Sequence, residues 1–170
     1  KELYVLPILI ENNEIFIFTE NFLYENWNKV HETELIEFIL ISENIEIIQS
    51  INNNKNNLIN INIDNLFKEY QNKNLALIFI ENTNSKIEKG YIRSRIQGKN
   101  LSKSLNFKRQ ELETENFYET IIMDIKKEII NSIKSVNLID IGTPSFLNVK
   151  FNLDKKNNLV ELKKLLKKID

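Results

Sequence analysis

Between Thr114 and Ser135 an apolar residue recurs at every fourth position: Phe117, Ile121, Ile125 and Ile129. Tyr118, Ile122 and Ile133 flank that row. The spacing predicts a long amphipathic helix with a broad apolar stripe. A stripe of that width is stable only when it lies across another apolar surface. The chain must therefore also build a sheet.

The strands to build it are legible. Leu75 to Ile80 is an unbroken apolar run and predicts a central strand. Leu3 to Ile10 predicts another, with Pro7 marking an edge or a bulge because proline has no N–H to donate. Glu14 to Phe18 follows across Glu11-Asn12-Asn13, a tight hairpin loop. Asn21 is placed to cap a short helix through Val30, with Phe22, Leu23, Trp27 and Val30 near one face. Leu35 to Ile41 predicts a buried strand. Ser42 then caps a short helix with Ile45, Ile48 and Ile51 inward. Asp64 predicts the N-cap of a helix carrying Leu66, Phe67 and Tyr70. Glu88 to Gln97 alternates, with Tyr91, Arg93 and Arg95 on one face and Ile92, Ser94 and Ile96 on the other. Gly98-Lys99-Asn100 predicts the turn back into Leu101 to Phe107. After the long helix come a short strand from Leu138 to Ile141, a turn at Gly142-Thr143-Pro144, a strand from Phe146 to Leu153 and a Leu-rich final helix. Helices and strands interleave without strict alternation. The expectation is one α+β domain over residues 1–170, a mixed, largely antiparallel sheet with helices packed on it.

Composition narrows the chemistry. The 170 residues carry a net charge of −1, so no global field draws the protein to nucleic acid or an anionic membrane. Cysteine is absent, which removes disulfides, thiolate nucleophiles and Cys-ligated metals. Ile, Asn and Lys are abundant while Ala occurs once and Gly three times, a skew that AT-rich codons explain. The tract Asn52-Asn53-Asn54-Lys55-Asn56-Asn57 therefore reads as a solvated loop. No apolar run is long enough to span a bilayer.

The residues that carry reactions do not converge. His31 is the only histidine, and it lies beside Glu32 and Glu34 as in a surface loop. No HExxH, EF-hand or G-x-S-x-G pattern occurs, and three scattered glycines make no phosphate loop. Among carboxylates near apolar runs, Asp64 reads as a cap, Asp124 as solvated, and Asp140 as turn-forming. We expect no metal and no cofactor.

One local feature invites a binding reading. Arg93, Arg95 and Arg109 all lie in or beside the hairpin of residues 88–109, with Lys89, Lys99, Lys103 and Lys108. Tyr91, Arg93 and Arg95 share a face that could take a phosphate or a stacked base. The competing explanation is a solvent-facing strand whose charges discourage edge pairing.

The opening stretch adds a resemblance. Val5-Leu6-Pro7-Ile8-Leu9, Ile15-Phe16-Ile17-Phe18 and Asn21-Phe22-Leu23-Tyr24-Glu25-Asn26-Trp27 are similar to the start of an uncharacterised proteobacterial family called domain of unknown function 2066. Asn21 and Trp27 match its N-P-W-x-x-A-W-type segment; Phe22 and Leu23 stand where Pro and Trp are usual. Leu66 to Tyr70 before the strand Leu75 to Ile80, Asn148-Val149-Lys150-Phe151 and the Leu-rich last helix are also similar. The resemblance implies a bacterial origin and export to the periplasm or cell envelope. It brings no assigned activity and no catalytic residues. A chain starting at Lys1 with a strand is expected to be a mature or trimmed form, with any targeting signal removed. The functional expectation is a non-catalytic envelope or interaction module with a protein partner, in the periplasm or cell envelope with the cytoplasm as the alternative. Nucleic-acid or anion binding through the basic hairpin is the first alternative, and an uncharacterised hydrolase is the second.

Overall fold

Strand β1, Glu2–Glu11, is the strand around which the sheet of the computed structural model is assembled. The structure describes residues 1–30, 36–83, 87–109 and 114–137, all within the unit Lys1–Leu138. His31, Asp140 and the strands and helix expected after Leu138 lie outside the described residues. Asn12 and Asn13, at φ 49° and 65°, make the tight turn from β1 into β2, Glu14–Ile17. Two consecutive positive φ values match the right-handed twist of a hairpin. The helix α1, Phe22–Asn26, leads toward β3, Glu37–Leu40. Then come α2, Ile45–Asn53, a 3-10 segment at Lys55–Asn60, and α3, Ile63–Leu66. The strands β4, Leu75–Asn82, β5, Ile87–Ile96, and β6, Lys99–Lys108, precede the long helix α4, Thr114–Asn137.

The sheet runs β2-β1-β4-β5-β6, with β3 also paired to β1. Pairs β1–β2, β4–β5 and β5–β6 are antiparallel; β1–β3 and β1–β4 are parallel. The fold is α+β, a mixed sheet with helices packed on it. Among the described residues no helix is long and apolar enough to cross a membrane.

Pro7 is neither at an edge nor in a bulge. β3 pairs with residues 2–5 of β1 and β2 with residues 8–11, on the side opposite β4. Tyr4 N donates to Asn74 O toward β4, while Ile41 N donates to Val5 O on the far side. Alternation turns Pro7 to that far side, into the seam where one neighbour ends and the next begins. No ladder bond is lost there. Buried Asn21 fills the seam: its Nδ2 donates to Pro7 O at 2.9 Å, and its Oδ1 accepts from Leu23 N at 2.9 Å. One side chain thus caps α1 and satisfies the seam carbonyl.

Several expected boundaries move. α1 stops at Asn26 because the Trp27 and Val30 carbonyls accept from the Lys126 ammonium at 2.8 and 2.6 Å. β3 is a half-buried four-residue strand. Asn44, not Ser42, caps α2, accepting from Glu46 N at 2.7 Å. The inward residues become Ile47 and Ile51, and Ile45 is 71 % exposed. Asn62, not Asp64, caps α3. Of the Asn tract, residues 52 and 53 extend α2, and Asn54 closes it through Nδ2 to Ser50 O at 2.8 Å. The turn between β5 and β6 is Gln97–Gly98, at φ 51° and 76°, so Lys99 and Asn100 already belong to β6.

Two apolar layers sandwich the sheet. On one face Val5, Leu9, Ile78, Ile80, Ile92 and Ile96 meet α1 and the α4 row of Phe117, Ile121, Ile125 and Ile129. Gly90 lets Phe107 in: a Cβ at position 90 would stand 2.6 Å from Phe107 Cε2. On the other face Leu6, Ile8, Leu77 and Phe79 meet Ile47, Ile51, Leu58, Ile61, Ile63 and Phe67 from the short helical pieces.

Candidate functional site

The second face is incompletely covered. Where the Lys55–Asn60 segment crosses the sheet, it leaves a cleft of about 690 Å³. The floor comes from four strands: Ile15 of β2, Ile10 of β1, Phe79 and Glu81 of β4, and Tyr91 of β5. Register puts Ile10 beside both Ile15 and Glu81, and Phe79 beside Tyr91. The rim is Lys55, the amides of Asn13, Asn56, Asn57 and Asn60, and the side chains of Leu58 and Ile59. Ile59 is 46 % exposed. Residue Asn57 departs from helical backbone at φ −145°, which bends this segment over the floor. The cleft lies by the carboxyl ends of the parallel strands β1 and β4. In open sheets with parallel strands, ligand crevices form at such ends.

Tyr91, Arg93 and Arg95 do share a face, but they divide in role. Tyr91 lines the cleft. The Arg93 guanidinium donates to Ile59 O at 2.8 Å and to Ile61 O. Arg95 pairs with Asp64 and donates to Tyr70 O at 2.8 Å. Both arginines are tied to the chain's own carbonyls, two of which flank the cleft wall. Arg93 positions the wall over the sheet, and of the three residues only Tyr91 lines the cleft. This face is not solvent-facing, because the segment 55–73 packs over it. That contact joins residues some thirty positions apart, which strand periodicity cannot reveal. Arg109 turns elsewhere, 3.6 Å from Glu88.

A second polar group lies on the α4 face. Tyr118 of α4 donates to Glu11 Oε1 at 2.5 Å, and Asn82 Nδ2 donates to Glu11 Oε1 and to Tyr118 Oη, each at 2.9 Å. Burial and the Glu11 carboxylate push the Tyr118 hydroxyl pKa upward. Beside them Glu88 is fully buried, and neither carboxylate oxygen accepts a hydrogen bond. Burial lifts its carboxyl to about 6; Arg109 pulls it down and Glu11 pushes it further up. A carboxyl that keeps its proton to such a pH has the acidity of a general acid. With no accessible surface, however, it meets no substrate, and Glu11 is occupied by Tyr118 and Asn82. Lys126 is the second buried charge among the described residues, 5 % exposed, capping the end of the α1 turn and lying 5.4 Å from the Trp27 ring centroid. Asp124 is exposed, as its place on α4 predicts.

Sequence reasoning passed over Glu88, Lys126 and the cleft. A signal existed for the first two. Glu88 shares the inward parity of Ile92, Ser94 and Ile96, and Lys126 falls four after Ile122 and three before Ile129. The cleft had none, because its floor reads as ordinary core. Among the described residues no group of three acids or histidines could hold a metal. The cleft is where a small ligand or cofactor would fit.

No family model matches the chain, and no curated protein matches it. One solved structure, a crystal structure of an uncharacterized protein, aligns over 81 % of this chain and 92 % of its own at 7 % identity and a TM-score of 0.30, a likeness too slight to carry an argument.

Proposed function

We propose that this domain is a non-catalytic binding module whose ligand enters the cleft beneath the Asn-rich segment. The observation that supports it most is the lining: an apolar and aromatic floor, Ile10, Ile15, Phe79 and Tyr91, with Glu81 beside it and a border of amides and Lys55. Small-molecule and peptide sites pair such a floor with a few convergent polar groups, in volumes of roughly 300–1,000 Å³. Among the described residues Glu88 and Lys126 are buried on the opposite face, and Glu11 is held there by Tyr118. Arg93 and Arg95, which nucleic-acid binding would use, are tied to the chain's own carbonyls. A segment of a partner protein is the natural occupant of a cleft lined in this way. The resemblance of the opening stretch supports a place in the periplasm or cell envelope.

Calorimetric titration with panels of short peptides, neutral sugars, nucleotides and single-stranded RNA tests the reading. We expect one small-ligand class to bind, and Tyr91→Ala to weaken it at least tenfold while the protein stays folded. RNA binding that strengthens as salt falls and survives Tyr91→Ala would move the function to another surface. Turnover of any panel member would replace the module with an enzyme. Fractionating cells that express the full-length gene tests the compartment: recovery in the periplasm or envelope supports it, and recovery in the cytoplasm overturns it.

A further inference from the structure

Glu88, the second residue of β5, is fully buried on the α4 face, and neither of its oxygens accepts a hydrogen bond. Protonated, such a group is tolerated at modest cost; ionised, it needs donors that water no longer supplies. Among the described residues three titratable or charged groups face it. From β1, Glu11 is a like charge, already held by Tyr118 and Asn82. From α4, Tyr118 spends its hydroxyl donor on Glu11. Arg109, which follows β6, is the one cation in reach. β4 contributes Asn82, which is neutral and donates to Glu11 and Tyr118.

The guanidinium of Arg109 is divided between two neighbours. Its Nη1 stands 3.6 Å from Glu88 Oε1, beyond hydrogen-bond reach, while Nη2 donates to Thr114 Oγ1 at 3.3 Å. The guanidinium carbon lies 5.7 Å from the Phe117 ring centroid. Thr114 opens α4, and Phe117 completes its first turn. One half-exposed side chain therefore joins a buried carboxyl of β5 to the beginning of α4. Moving inward, it would give Glu88 a charge-assisted hydrogen bond of about 2.8 Å, and Nη2 would leave Thr114.

We propose that Arg109 is a latch on the first turn of α4 whose position is set by the protonation of Glu88. With the carboxyl protonated, the guanidinium stays on Thr114 Oγ1 and over the Phe117 ring. With it ionised, the guanidinium swings to the carboxylate and leaves the turn. Glu88 holds its proton to about pH 6, so the latch lets go as pH rises through that value and the proton passes to solvent. The device lies on the face opposite the cleft and stands whether or not the cleft binds.

Nuclear magnetic resonance of the full chain, from about pH 4 to about pH 8, tests this. The Glu88 carboxyl carbon should titrate near 6, and the Arg109 Nε and Thr114 amide shifts should follow with the same midpoint. The Overhauser contact between the Arg109 side chain and the Phe117 ring should be present in acid and lost above the midpoint. Glu88→Gln should keep that contact at every pH. Arg109→Met should raise the Glu88 midpoint, because the cation favouring the charged form is gone, and should abolish the Thr114 response. A Phe117 contact that persists through the titration of Glu88 would overturn the proposal. So would a Thr114 response that survives Arg109→Met, since the carboxylate would then act on α4 without the arginine. The contact and the midpoints are read on the unaltered protein, so a variant that fails to fold does not blunt the test.

Discussion

The two faces of the sheet are closed by different means. On one, a single helix of 24 residues lays an apolar row across β1, β4 and β5, and Tyr118, Asn82 and Glu11 are hydrogen-bonded to one another there. On the other lie α2, a 3-10 segment and α3, none longer than nine residues, and Arg93 and Arg95 of β5 hold the chain from Ile59 to Tyr70. A long helix spans the sheet without interruption. Short pieces bridge it only where they touch, and the 3-10 segment leaves the cleft between itself and the sheet. The same strands thus offer a sealed surface to one side and an open one to the other.

The largest test compares core residues across the sheet. Ile125→Ala, under α4, should destabilise the domain by about 3 kcal/mol, in the range for a fully buried isoleucine. Ile15→Ala, in the cleft floor, should change stability by less than about 1 kcal/mol, since its neighbours already face open space. Urea unfolding of both variants checks this, and equal losses would erase the distinction between the faces.

Arg93→Met comes next, at about 2 kcal/mol, because Ile59 O and Ile61 O lose a charged donor. Its signature is local. Amide exchange should quicken across residues 55–61 and stay unchanged along α4. Uniform quickening would mean that the arginine supports the whole core and not the cleft wall.

Glu88 gives the smallest and most conditional effect. Its carboxyl titrates near 6 in the folded chain, above the usual value of about 4.3. Between those values the folded state binds the proton more tightly than the unfolded state. Stability from this group is therefore full in acid, falls as pH rises from about 4 to about 6, and is level above that. Glu88→Gln removes the fall, so it should match the unaltered protein at pH 4 and exceed it by up to about 2 kcal/mol at pH 8. Urea midpoints at the two pH values check it. The same difference at both would show that Glu88 does not titrate as its burial requires.

The sealed face was largely legible in the sequence, and the open face was not. Ile121, Ile125 and Ile129 announce α4 by spacing alone, and Leu75 to Ile80 announces β4. Those signals are local and repeat. The caps Asn44 and Asn62 were missed by two residues because Ser42 and Asp64 are equally good caps in isolation. Tyr91, Arg93 and Arg95 were placed on the right face, but the carbonyls that hold the arginines come from a segment that no periodicity ties to β5. Pro7 was misplaced for a similar reason. A proline within a strand implies a missing partner, and the seam that supplies the gap needs β2, β3 and Asn21 together.

The claim that the open face binds and the sealed face does not has one direct measurement: amide chemical shifts of the whole protein during titration with the panel of short peptides. The account predicts saturable shifts at Ile10, Asn13, Ile15, Asn56 to Asn60, Phe79, Glu81 and Tyr91, with Ile121, Ile125 and Ile129 unmoved. Shifts centred on Glu11, Asn82, Glu88 and Tyr118, or no saturable shift at the cleft, would contradict it.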